Sequence, residues 1–262
     1  MSRIAETFGR LKAEGRGGFI PFVTAGDPDL ETSRALVVEL ARAGASVVEL
    51  GVPFSDPVAD GPTIQRASER ALRHAVGVAD VLSVVADARR ECDAAIVLFS
   101  YFNPLMQFGA ERLADEAARA GVDGVLVTDL VPEEAGEFSG ALRRHGLDQI
   151  FLVAPTTSDA RLRAIAAGAS GFVYAVSRAG VTGARTDLSD EAAQLVRRVR
   201  AVTGLPVAVG FGISTRAQVE EVWRYADAAV VGSAIVAEVE RLAGAPDLVA
   251  RVGDFARALC LR

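Results

Sequence analysis

The chain has 262 residues, half of them hydrophobic but only 6% aromatic, with a formal net charge of −6 and a pI near 5.1. An acidic balance with no basic run argues against a nucleic-acid binder, and no stretch approaches the roughly eighteen apolar residues that would span a membrane. The N-terminus is polar rather than signal-like, and the two cysteines, Cys92 and Cys260, are far apart and resemble no metal motif, so we expect a cytoplasmic protein with reduced thiols.

In chain order, Ile4, Phe8 and Leu11 come first, an apolar stripe that predicts a helix ahead of the first strand, placed to plug the bottom of a barrel. Eight short apolar runs follow: Phe19–Val23, Val47–Leu50, Ala95–Phe99, Gly124–Val127, Gln149–Val153, Gly171–Ala175, Pro206–Gly210 and Asp227–Val231. The segments between them have helical periodicity, as Leu113, Ala117 and Ala120 illustrate. Ala43–Ser46, Ala120–Asp123 and Ala167–Ser170 each read as a helix ending on a glycine before the next strand. A single (β/α)8 barrel domain over residues 1–262 fits this order, with a doubly wound sheet as the alternative. An interior rich in Ala, Val, Leu and Ile suits parallel strands covered by helices.

The segment from Glu49 to Gly61 stands out. Strand alternation puts Val47, Glu49 and Gly51 on one side and Val48 and Leu50 on the other. A carboxylate in so apolar a run has its pKa raised and can hold or release a proton near neutrality. Asp60 ends the loop built from Gly51, Pro53 and Pro57, and the loop can carry it to the same pocket. The plainer reading is a strand-end glutamate that hydrogen-bonds a neighbouring loop. Barrel chemistry gathers at the C-terminal ends of strands, where both carboxylates fall, and this favours catalysis.

Strand seven ends in Gly210-Phe211-Gly212-Ile213-Ser214 and strand eight in Gly232-Ser233-Ala234. Glycine at a strand-to-helix turn lets an anion approach free N–H groups, so these turns form a candidate phosphate site, with ordinary turn chemistry as the alternative. The loop Ser177–Arg185 after strand six could close over substrate or could be a solvated surface loop. Asp129 ends strand four, where capping of the next helix explains it equally well. Lys12 is the only lysine, and His74 and His145 are the only histidines; all three read as helix surface. That leaves no pocket lysine for a Schiff base, no clustered ligands for zinc and no G-x-S-x-G elbow, so proton chemistry falls to carboxylates and hydroxyls.

The whole chain resembles the α subunits of tryptophan synthase. The matching segments are Pro21–Pro28, Glu49–Gly61, Tyr101-Phe102-Asn103-Pro104, Ala154–Thr157, Tyr174 with Ser177–Gly183, Phe211–Ser214 and Val231–Val236. The resemblance implies retro-aldol cleavage of indole-3-glycerol phosphate to indole and glyceraldehyde 3-phosphate, with no cofactor and no metal in this chain. It implies Glu49 as the proton shuttle and Asp60 as the partner of the indole N–H. Phe22, Ile64, Phe99, Leu126 and Phe211 would line the indole pocket, with ordinary barrel packing as the alternative. Tyr174 would lie beside the scissile bond, and Thr182 would contact Asp60. Amides around Gly183, Gly212, Gly232 and Ser233 would hold the phosphate. The family works as an αββα heterotetramer in tryptophan biosynthesis, passing indole by substrate channelling to a β subunit that carries pyridoxal phosphate. Its contact surface would comprise Asp56, Pro57, Asn103–Pro104 and Leu130–Pro132. Many relatives read Asp-Leu-Pro after strand four, whereas this chain has Asp129-Leu130-Val131-Pro132. Two relatives of that reading are a free-standing lyase that releases indole and a catalytically silent regulatory subunit. Retention of both carboxylates argues against the second. A sugar-phosphate isomerase or epimerase would need a lysine, histidine or metal that no strand end supplies.

Overall fold

A computed structural model describes residues 2–176, 188–210 and 212–260. Eight parallel strands close into a barrel in sequence order: β1 (Gly18–Thr24), β2 (Val47–Gly51), β3 (Ala95–Ser100), β4 (Gly124–Val127), β5 (Asp148–Val153), β6 (Val173–Val176), β7 (Val207–Gly210) and β8 (Ala228–Val231). Closure comes from β8 pairing with β1, with Gly18 opposite Ala228 and Pro21 opposite Val231. The barrel expected from the apolar spacing is therefore present, and the open doubly wound alternative is excluded. Strand ends agree within two residues; the largest shift is at β6, because Gly171 turns with φ of 72° before the strand begins.

Two apolar layers follow from strand alternation. Outward residues such as Val48, Leu50, Ile96 and Leu98 pack under the helices. Inward residues such as Ile20, Val47, Val97, Leu126, Ile150 and Phe172 fill the barrel. The expected N-terminal helix, α1 (Arg3–Ala13), closes the floor. Its Ile4, Phe8 and Leu11 are buried in the interior cluster, with the Phe8 ring 5.7 Å from that of Phe172. Polar latches surround this plug: Ser2 Oγ donates to Asp148 at 2.6 Å, and Asp123 accepts from Arg3, from Arg89 at 2.8 Å and from the Ile96 N–H at 2.8 Å.

The outer layer exceeds one helix per strand. After α2 (Leu30–Arg42), the β2–β3 connection carries α3 (Pro62–Leu72) and α4 (Val78–Ala88). The β3–β4 connection carries α5 (Phe102–Phe108) and α6 (Ala110–Ala120). Single helices α7 (Gly136–Arg144), α8 (Asp159–Gly168), α9 (Leu188–Arg200) and α10 (Arg216–Val222) follow, and α11 (Ser233–Leu242) and α12 (Leu248–Cys260) come after β8. Two of the three expected glycine stops hold: Gly44 and Gly121 adopt φ of 109° and 89°, where a side chain would be strained. The third does not. Gly168 lies within α8, which is capped instead by Ala169 in an extended conformation.

Candidate active site

Glu49 is placed by simple alternation. It lies inward on β2 between Val47 and Gly51, opposite Phe22 of β1 and Val97 of β3. It is 1% exposed, and its Oε1 has no hydrogen-bond partner among the described residues. Removal from water penalises the charged form, which pushes its pKa up from 4.5 to about 8. At neutral pH Glu49 is thus a carboxylic acid with a proton to give. Tyr174, inward on β6 and buried, has its hydroxyl pKa driven well above 10 by burial and then by Glu49. Missing side chains make space for these groups. A Cβ on Gly51 would fall 2.5 Å from the Phe22 ring, and one on Gly210 would fall 2.1 Å from the Tyr174 hydroxyl.

Asp60 is carried to the mouth by the loop after β2, which turns through a hydrogen bond from the Asp60 N–H to the Pro57 carbonyl. Gln65 of α3 fixes the other side, its Nε2 donating to the Asp60 carbonyl at 2.8 Å. Burial raises the Asp60 pKa to about 6, and a hydrogen bond from Tyr101 opposes that rise. The two carboxylates are therefore tuned apart: near pH 7 Asp60 is ionised while Glu49 is protonated, the pattern of an acid working beside a fixed negative charge.

Asp60 lines a cleft with Phe22, Ile64 and Phe99, and Gly51, one residue pair above Glu49, forms part of its wall. Phe22 and Phe99 meet edge to face at 5.4 Å, and Phe99 meets Tyr174 at 6.4 Å, a shape suited to a flat aromatic ring. Leu126 lies deeper, fully buried in the interior cluster and opposite Phe99. At the rim, Gly232 backs onto Phe22 and Ile64; a Cβ there would lie 3.7 and 3.9 Å from them. It leads into Ser233 at the start of α11, a helix whose N-terminus has no side-chain cap among the described residues. By contrast, the start of α10, beyond Gly212, is closed by a capping box between Thr215 and Gln218. Free N–H groups for an anion are thus more available at Gly232 and Ser233. Phe211 and the whole loop Ser177–Arg185, with Thr182 and Gly183, lie outside the described residues.

Two sequence expectations need correction. Asp129 does not cap the helix that follows it; it accepts the Phe102 N–H at 2.7 Å and so holds the start of α5. Leu130 is 6% exposed and packs in the helix–barrel core, so it is not part of an open contact surface, whereas Asp56 and Asn103 are exposed. Two further residues of the site, Tyr101 and Thr24, carry no individual signal in the sequence motifs. The Tyr101 hydroxyl accepts the Ala59 N–H at 2.9 Å and so braces the Asp60 loop. Thr24 continues the inward series Ile20, Phe22 and lines the same cleft with a buried hydroxyl that has no partner among the described residues. That series was the available signal for Thr24; for Tyr101 it was the position just past a strand end.

A closed parallel barrel with an apolar, carboxylate-bearing cleft at the C-terminal ends of its strands defines a (β/α)8-barrel enzyme. Residues 8–258 match the family model described as tryptophan synthase alpha chain. The tryptophan synthase alpha chain of Citrifermentans bemidjiense is 51% identical over 259 residues, covering 99% of this chain and 97% of the relative. That of Roseiflexus sp. is 51% identical over 260 residues, covering 99% of each. Among solved structures, the tryptophan synthase subunit alpha of Legionella pneumophila superposes with a TM-score of 0.91 at 38% identity, covering 99% of this chain and 97% of that one. A tryptophan synthase from M. tuberculosis in an aminoacrylate-bound form gives 0.88 at 38%, covering 99% and 100%. The chain belongs to the tryptophan synthase alpha chain family, enzymes of tryptophan biosynthesis. The resemblance read from its motifs is borne out over the full length.

Proposed function

We propose that the chain cleaves indole-3-glycerol phosphate, a lyase reaction, with Glu49 as proton shuttle and Asp60 as the ring partner. The observation that carries this reading is a glutamate enclosed in the barrel, with one oxygen unpartnered among the described residues, two residues before Gly51 in the wall of an aromatic cleft that also holds Asp60; its burial favours the protonated form. Glu49 donates its proton to indole C3, which turns the ring into an iminium cation. Ionised Asp60 accepts the ring N–H and stabilises that cation. Glu49, now a carboxylate, takes the proton of the hydroxyl on the carbon attached to C3. The C–C bond breaks, its electrons return to the ring, and indole and an aldehyde leave with Glu49 again protonated. Each such contribution is typically worth about 10²–10⁴-fold. Phe22, Ile64 and Phe99 grip the ring, Tyr174 and Leu126 support it from below, and Gly232 and Ser233 with Gly212 take the phosphate. Thr182, Gly183 and Phe211 complete the site in this reading.

The same reading makes the chain one cytoplasmic domain that hands indole to a tryptophan synthase β subunit in an αββα assembly. Pyridoxal phosphate belongs to that partner, since the only lysine here, Lys12, is exposed on α1 at the opposite end of the barrel. The test is indole release by the purified chain, alone and then with a β subunit and serine. Slow release that rises sharply with β supports the paired enzyme. Fast release indifferent to β means a free-standing lyase, and no cleavage by folded protein overturns the reading.

A further inference from the structure

A network of ion pairs outside the cleft joins the elements that carry its two ends. Arg66 and Arg70 lie one turn apart on α3, on one face of the helix. Arg70 Nε and Nη2 grip both oxygens of Asp27 at 2.7 and 2.9 Å, and its Nη1 reaches Glu240 Oε1 at 2.7 Å. Arg66 Nε and Nη2 hold both oxygens of the same Glu240, each at 2.8 Å. The two guanidiniums, Arg66 first, pull the Glu240 carboxyl down to about 2, so it stays ionised across the working range. Most exposed ion pairs contribute little. This one differs in its bidentate geometry and in Asp27, 3% exposed in the turn after β1, where a charge out of water demands its partner.

The helices so joined are those that bear the two substrate contacts. α3 starts two residues after Asp60 and supplies Ile64 to the cleft. α11 starts at Ser233, and Glu240 follows seven residues later, about 10 Å along the axis. Under the ion pairs the helices pack through Ala67 and Val236 against Phe22, small side chains that leave little relief to fix one helix along the other. We propose that Arg66, Arg70, Glu240 and Asp27 form a clamp that sets the spacing between the ring-binding Asp60 wall and the phosphate-binding turn at Gly232–Ser233. These are positioning residues for a substrate whose ring and phosphate are joined by a short chain. The clamp rests on the proposed reaction and its two contact points.

A clamp that measures length acts on the joined ligand and spares its halves. Calorimetric titration of the full chain with indole-3-propanol phosphate, indole and glycerol 3-phosphate separates these cases. Glu240→Gln is the chosen variant, because it leaves Asp27 paired with Arg70; Arg66→Gln, at the exposed end, is the second. Both are expected to weaken the joined ligand about tenfold, by misplacing one contact relative to the other. Each half alone should shift by less than about twofold, and the kinetic loss should fall on KM more than on kcat. Equal weakening of all three ligands, or no change in any, would overturn the clamp. A wild-type chain that bound none of them would refute the proposed reaction, and the clamp with it.

Discussion

The floor and the mouth of this barrel treat buried carboxylates in opposite ways. At the floor, Asp123 is surrounded by compensation: two guanidiniums and a backbone N–H satisfy it, and Ser2 donates to neighbouring Asp148. Higher up, Glu49 is more deeply buried than either and has an oxygen with no partner among the described residues. A paired buried charge is explained by the structure it holds together. An uncompensated one costs stability, and the proton-shuttle role proposed for Glu49 gives that cost a use.

The largest effect that sharpens this contrast is on turnover. Glu49→Gln is expected to lower kcat by about 10³-fold or more while ligand binding persists. A variant keeping a tenth of the activity would sink Glu49 as the shuttle. Its stability should move the other way. The folded chain holds the Glu49 proton up to about pH 8, whereas the unfolded chain loses it near 4.5. Between those values the folded state binds more protons, so wild-type stability falls as pH rises through the window. The glutamine variant lacks that slope and should gain on wild type by a few kcal/mol from pH 5 to pH 8, read from urea midpoints at each pH.

Asp123→Ala should behave inversely. Arg89, with 15% of its side chain exposed, would keep only backbone carbonyls as partners, the Ile96 N–H would lose its carboxylate acceptor, and the plug would lose its Arg3 latch. Removing one member of a buried ion pair typically costs about 3–5 kcal/mol. Turnover per folded molecule should be unchanged, because nothing at the floor touches the cleft. A loss of kcat with intact stability would erase the division between the two ends.

Asp60→Asn falls between these in size. The amide can still accept the ring N–H but supplies no counter-charge to the cation, so a loss of about 10–100-fold is expected. Asp60 must be ionised and Glu49 protonated, so kcat/KM for wild type should rise through about pH 6 and fall above about pH 8. The acid limb should vanish in Asp60→Asn and the alkaline limb should remain. A profile identical to wild type would take Asp60 out of the mechanism.

How much of this was legible in the sequence depended on whether the signal was local. Short apolar runs are local signals, and they located the eight strands; period-two alternation put Glu49 on one face with Val47 and Gly51, and barrel closure makes that face the interior. The paired helices α5 and α6 were not separated, because a strand-to-strand gap holds either one long helix or two short ones with similar spacing. Tyr101 beside the Asp60 loop and Arg70 on Asp27 are joined across 42 and 43 residues of chain, and no pattern in either segment announces such a partner. Leu130 failed as a surface residue for a related reason, since its place in the core depends on distant segments and not on its own.

Asp129 is the smallest case and the one that crosses the divide. It sits at the mouth but behaves like the floor, spending its charge on the Phe102 N–H at the start of α5. Tyr101 is the N-cap residue of that helix and reaches the Asp60 loop with its hydroxyl. Asp129→Ala should therefore cost about 1 kcal/mol of stability, the usual size of a lost helix-start contact. Because Tyr101 hangs from the loosened end, a few-fold drop in kcat/KM should accompany it, and Tyr101→Phe in the same background should add little further. Additive losses from the two changes would mean that Asp129 and Tyr101 act separately, and that the mouth has no structural carboxylate of the floor's kind.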